Sequence, residues 1–129
     1  MVTEDYVGFE TAKLLKEKGF DEYCYGYYYT SKYMTHGDIK QRNSELFPDS
    51  YSAPTLQMAM KWLREVYNLV IQIVVVPHTT VTMEQKYYVF VVCKDRRNLV
   101  FRSDHPHDRY STYEEASEAG IKYCLENLI

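Results

Sequence analysis

Two runs, LVIQIVVV beginning at Leu69 and KYYVFVV beginning at Lys86, constrain the fold of this chain more than any other feature. Both are β-branched and aromatic, too short and too branched to favour helix, and they predict two central strands. In the first, Leu69, Ile71, Ile73 and Val75 share one face while Val70, Val74 and Val76 share the other. The polar connection PHTTVTMEQ and the KDRRN turn into NLVFR are too short for helical crossovers, so these three strands are expected to form an antiparallel meander. A strand apolar on both faces calls for cover on both. Either helices divide between the two faces, or an open face pairs with a second subunit; a homodimer is the expectation.

Three amphipathic segments supply the helices. FETAKLLKEKGF places Phe9, Ala12 and Leu15 on one side, and Gly19 followed by Phe20 provides a left-handed stop with an apolar contact behind it. In SAPTLQMAMKWLREVYN, Pro54 suits a first helical turn, Leu56, Ala59, Met60, Leu63 and Tyr67 keep a three-and-four spacing, and Asn68 is a plausible cap. Thr112 and Glu115 have capping-box spacing ahead of a stripe of Ala116, Gly120, Ile121, Cys124 and Leu128.

Between the first two helices, YCYGYYYTSKY holds six of the fourteen tyrosines, with Tyr23, Tyr25, Tyr27 and Tyr29 two apart and so on one face of a strand. Residues 34 to 50 are polar and turn-rich and are expected to form a long loop. The expected fold is therefore a single α+β domain over residues 1–129, with about four strands in a mostly antiparallel sheet and three helices, in the order α-β-α-β-β-β-α.

Length and composition agree with one domain: 129 residues can bury a core without metal or disulfides, and 46% hydrophobic with 26% charged residues is ordinary for a globular protein. A net charge of −3 offers no global field for gathering nucleic acid, which is not an expected partner. Cys24, Cys93 and Cys124 are odd in number, widely spaced and set in apolar patterns, which suggests free buried thiols of a reducing compartment. The opening MVTEDYVGFE does not read as a secretory signal, and the longest apolar run is too short to span a bilayer, so a cytoplasmic protein is expected.

FETAKLLKEKGFDE, YSAPTLQMAMKWLREVYNLVIQI and TYEEASEAGIKYCLENLI resemble segments of small uncharacterised proteins of gut Bacteroides genomes, their phages and mobile elements. The resemblance covers the three helices and one strand and carries no catalytic motif. It implies an accessory protein that binds and blocks a host component or sequesters a small signal.

The residues themselves offer several candidate sites. The tyrosine face, with Tyr25, Tyr27 and Tyr29 and the nearby Tyr33, can pack as sheet core or serve as a recognition surface; a base stacked on an aromatic ring gains about 1–3 kcal/mol. Arg96, Arg97 and Arg102, with Lys94, could supply guanidinium forks for a phosphate or carboxylate, or simply protect a hairpin tip. Trp62, the lone tryptophan, falls beside the helical apolar stripe and could anchor a partner or pack beneath the loop. His105 and His107, flanked by Asp104 and Asp108, are the one grouping that resembles a metal or acid–base site, although no third ligand is identifiable. With no nucleophile elbow, Walker loop or cofactor motif, a non-enzymatic binding protein for a host macromolecule is the leading reading. A nucleotide-like ligand held by Tyr and Arg is the alternative, and a metal-dependent hydrolase a remote one.

Overall fold

The computed structural model describes residues 2–29, 33–77, 86–95, 97–104 and 108–129. It is an α+β fold with three helices and two three-stranded antiparallel sheets. Helix α1 spans Phe9–Glu17, followed by strands β1 (Cys24–Tyr29), β2 (Met34–Gln41) and β3 (Ser50–Ala53). Helix α2 (Leu56–Tyr67) leads into β4 (Leu69–Pro77), β5 (Lys86–Lys94) and β6 (Asn98–Arg102), and α3 (Tyr113–Asn127) follows.

The second sheet, ordered β4-β5-β6, is the predicted meander. The expected single sheet of about four strands is instead two sheets, with six strands among the described residues, two of which were not expected. β2 and β3 flank β1 in the first sheet, ordered β2-β1-β3; β2 lies within the stretch expected to be a loop, whereas β3 runs from its last residue, Ser50, into the lead of the segment read as the second helix. β2 reads MTHGDIKQ, is mostly exposed and lacks an alternating apolar face, whereas β3 is only four residues long. Their strand character comes from pairing with β1, so local periodicity carries little sign of it.

The expected helix ends are present. Gly19 has φ +92°, and the Phe20 amide reaches back to the Leu15 carbonyl at 2.9 Å, leaving Phe20 buried. Asn68 is left-handed at φ 58°, ψ 29° and turns the chain directly from α2 into β4. Pro54 lies before the helix; Thr55 is the N-cap, its hydroxyl accepting from the Met58 amide at 3.2 Å.

Each sheet carries helix on one face. Phe9 of α1 meets Tyr28 of β1 and Tyr51 of β3 edge-on, at 5.5 and 5.6 Å between ring centroids. On the second sheet α3 packs through Gly120, where an added Cβ would lie 2.9 Å from Ile71 Cγ2 and 3.2 Å from Phe90 Cγ. Tyr123 stacks on Phe101 at 4.0 Å. One contiguous buried cluster runs through residues of both sheets and all three helices.

The other face of the second sheet holds Val70, Val74, Val76, Tyr87, Val89, Val91 and Cys93, as the β4–β5 register dictates. Its central residues Val89 and Val91 are nevertheless buried within the single chain, and the Arg109 guanidinium lies 4.5 Å from the Tyr87 ring centroid. Apolar residues on both faces therefore do not by themselves demand a second subunit.

Candidate aromatic–cationic surface on the first sheet

The tyrosines of β1 do not form one flat platform. The β1–β2 register passes from Gly26 opposite His36 to Cys24 opposite Gln41, so four residues of β2, Gly37 to Lys40, face the single residue Tyr25. This bulge separates Tyr25 from its neighbours. The N-terminal segment runs beside the start of α2, with the Val7 amide on the Pro54 carbonyl at 3.0 Å and the Leu56 amide on the Asp5 carbonyl at 2.9 Å. It brings Tyr6 over Gly26, where an added Cβ would meet the Ala53 carbonyl oxygen at 3.0 Å and the Tyr6 ring at 3.3 Å.

Tyr25, His36 and Tyr6 form one cluster. The Tyr25 and His36 rings stack at 5.7 Å and 16°, and the Tyr6 hydroxyl is 3.1 Å from His36 Nε2. Lys40 Nζ lies 5.1 Å from the Tyr25 ring centroid, and the Arg42 guanidinium lies 5.1 Å from that of Tyr23. Tyr6, Tyr23, Tyr25 and Lys40, with Met58 and Pro54, line a cavity of about 280 Å³. Cys24 also borders it, and burial pushes its thiol up to about 12, so it is no nucleophile there.

Farther along β1 the side chains separate by depth. Tyr27 pairs with Thr35 and Ser52 and is half-buried. Tyr28 is core: it is 7% exposed, its hydroxyl donates to the Val7 carbonyl at 2.8 Å, and desolvation followed by the charge of Glu118 raises its pKa. Tyr29 is half exposed, with its ring against Phe47 at 6.1 Å, and Tyr33 is 84% exposed.

The turn carrying Phe47 is fixed from beneath. Lys16 Nζ donates to the carbonyls of Phe47, Pro48 and Ser50 at 3.1, 3.3 and 2.8 Å, and desolvation lowers its pKa against the opposing pull of Asp49. Asn43 spans the edge of β3: its Nδ2 donates to the Phe20 carbonyl at 2.7 Å and its Oδ1 accepts from the Ser52 amide at 2.8 Å.

Of the arginines expected to serve the tyrosines, Arg97 and Arg102 belong to the other sheet. Arg97 is exposed in the β5–β6 turn, and Arg102 donates from Nε to Asp104 Oδ1 at 2.7 Å and from Nη2 to Oδ2 at 3.2 Å. Arg96, His105 and His107 lie outside the described residues. Trp62 is corrected from a candidate anchor to a core residue. It is 7% exposed between Phe20 and Tyr67, each 5.3 Å away, because the turn at Gly19 folds Phe20 onto α2. The cations at the tyrosines, Lys40 and Arg42, and their partners Tyr6 and His36 were not among the candidates. The missing signal was a strand assignment for β2, which its polar sequence does not provide.

A larger cleft of about 690 Å³ lies between the N-terminal segment and α3, bordered by Asp5, Tyr6, Leu56, Tyr110, Glu114, Glu115 and Glu118. Two of its carboxylates have structural duties: Glu118 Oε1 accepts from the Gly8 amide at 2.8 Å, and Glu115 Oε2 accepts from the Ser111 amide at 3.2 Å. Among the described residues no group of three His, Cys, Asp or Glu is placed to hold a metal ion, and no helix is long and apolar enough to cross a membrane.

No family model, curated protein or solved structure matches this chain.

Proposed function

We propose that this chain is a non-enzymatic binding protein that captures a host macromolecule, most simply a protein, through its tyrosine-rich first sheet. One observation carries the reading. Among the described residues, seven of the exposed large apolar side chains, Tyr23, Tyr25, Tyr29, Tyr33, Met34, Ile39 and Phe47, fall between positions 23 and 47. They are interleaved with His36, Lys40 and Arg42. Tyrosine, phenylalanine, methionine and arginine are the residues enriched in protein interfaces, where rigid amphipathic rings gain contact area at small entropic cost. The setting suggested by the resemblance, an accessory protein of a phage or mobile element acting in the cytoplasm of its bacterial host, fits such a blocking role.

A nucleotide-like small molecule is the second reading, favoured by the cavity that Tyr23, Tyr25 and Lys40 share. Against it, Tyr25 is already stacked on His36 and approached by Lys40, so a base would have to displace contacts the chain makes for itself. Affinity capture from host lysate with the wild-type chain and a Tyr25→Ala/Tyr29→Ala double variant tests the proposal. A partner retained by the wild type and lost by the equally stable variant supports it. A thermal shift with mono- or oligonucleotides and no retained macromolecule would transfer the site to the second reading.

A further inference from the structure

A strand at the border of a sheet presents unpaired amide and carbonyl groups, and soluble proteins protect such borders by covering, bulging, shortening or charging them. The two sheets have four borders, formed by β2, β3, β4 and β6. Three are protected. β2 carries the Gly37–Lys40 bulge with Asp38 and Lys40 in it. β3 is bridged by Asn43, whose Oδ1 takes the Ser52 amide. β6 has five residues, a register shift that leaves Val100 without an opposite residue, and Arg97 and Arg102 about its ends.

Among the described residues β4 shows none of these devices between Leu69 and Val76, and only Pro77 closes its end. It is nine residues long, pairs with β5 without a register shift from Leu69 to Pro77, and contains no charged residue. Its first part is held in the core through Leu69 and Ile71, but from Gln72 onward the strand emerges. Gln72 is exposed, Ile73, Val74 and Val76 are half-buried, and Val75 is 49% exposed, whereas Val89 to Val92 of the neighbouring β5 are all buried. Among the described residues no strand pairs with the outer side of β4.

We propose that this border of β4 is where two copies of the chain join, antiparallel, about a twofold axis at Val74. The sequence of the border is compatible with itself. Val74 would face Val74 of the second copy, with Ile73 opposite Val75 and Gln72 opposite Val76. Side chains of the same sheet face then meet, and no like charges are brought together. A twofold pairing closes on itself and leaves no further border of this kind to recruit a third copy. Five residues at about 3.4 Å each give an overlap of roughly 17 Å. That contact is smaller than a standard interface of about 1,200 Å² or more. The dimer is therefore a weak, reversible one, and it does not depend on what the first sheet binds.

Sedimentation equilibrium over a concentration series tests this. The wild type is expected to move from monomer to dimer, and Gln72→Lys and Val75→Lys are each expected to weaken dimerisation by at least about tenfold, since a lysine at an edge opposes strand pairing. Both positions are exposed, so circular dichroism and thermal melts of the variants should match those of the wild type. Leu99→Lys on the protected β6 border should leave the equilibrium unchanged. A wild type that stays monomeric throughout, or a dimer indifferent to both β4 variants, overturns the proposal.

Discussion

The imidazole of His36 lies nearly parallel to the ring of Tyr25, 5.7 Å between centroids and 16° between planes, although the two belong to strands whose register is broken beside them. The bulge that breaks it brings Tyr25 together with His36, Tyr6 and Lys40 instead of with Tyr27 and Tyr29. An exposed cluster so braced is a partly preorganised contact surface, which lowers the entropy lost when a partner docks.

The β1 tyrosines should divide by depth. Tyr28→Ala removes a buried ring and leaves the Val7 carbonyl without its hydroxyl donor, and should cost about 3–5 kcal/mol in urea denaturation. Tyr25→Ala and Tyr29→Ala, at half-exposed positions, should stay within about 1 kcal/mol of wild type while reducing partner capture. Arg97→Ala and Arg102→Ala, on the second sheet, should leave capture unchanged, whereas Lys40→Ala should weaken it. Loss of capture from the two arginine variants with Lys40→Ala inert would place the binding surface elsewhere.

Gly120→Ala should destabilise the protein even though alanine is the better helix former. The new methyl would sit 2.9 Å from Ile71 Cγ2 and close to Phe90, so α3 must lift from the sheet. Overpacking of this kind costs about 1–3 kcal/mol, more than the roughly 1 kcal/mol gained in helix propensity. A rise in thermal midpoint would contradict the close approach of α3 to β4 and β5.

Burial pushes the thiols of Cys24 and Cys124 from 9.0 up to about 12. The folded chain thus holds these protons to a higher pH than the unfolded chain does. Their contribution is complete below about pH 9 and declines as pH rises toward about 12. Tyr28, raised by desolvation, adds a loss of the same sign. The urea midpoint should therefore fall between pH 8 and pH 10.5, and Cys124→Ala should flatten that fall. In native protein at pH 8, alkylation should reach the half-buried Cys93 first and the other two only on unfolding.

Asn43→Ala should cost about 2 kcal/mol or more, since it abolishes two buried hydrogen bonds and leaves the Phe20 carbonyl and Ser52 amide unpaired. It also uncovers the border of β3, so hydrogen exchange at Ser52 should accelerate before that of β5. Exchange unchanged at Ser52 would show that Asn43 does not hold this border.

Sequence alone determined the features that depend on near neighbours. The period of Phe9, Ala12 and Leu15, the left-handed stops at Gly19 and Asn68, the Thr112 cap and the β-branched runs of β4 and β5 all follow from local sterics and amphipathic spacing. Tertiary structure decided the rest. β2 and β3 owe their extended form to hydrogen bonds with β1 rather than to their own residues, so a polar stretch such as MTHGDIKQ looks like a loop until its partner strand is in place. Trp62 became core because Phe20 folds onto it, and Lys40 reached Tyr25 because of a bulge no spacing rule anticipates. The contacts of this surface join residues 6, 25, 36 and 40, and their meeting is set by sheet register, a long-range property that local patterns do not encode.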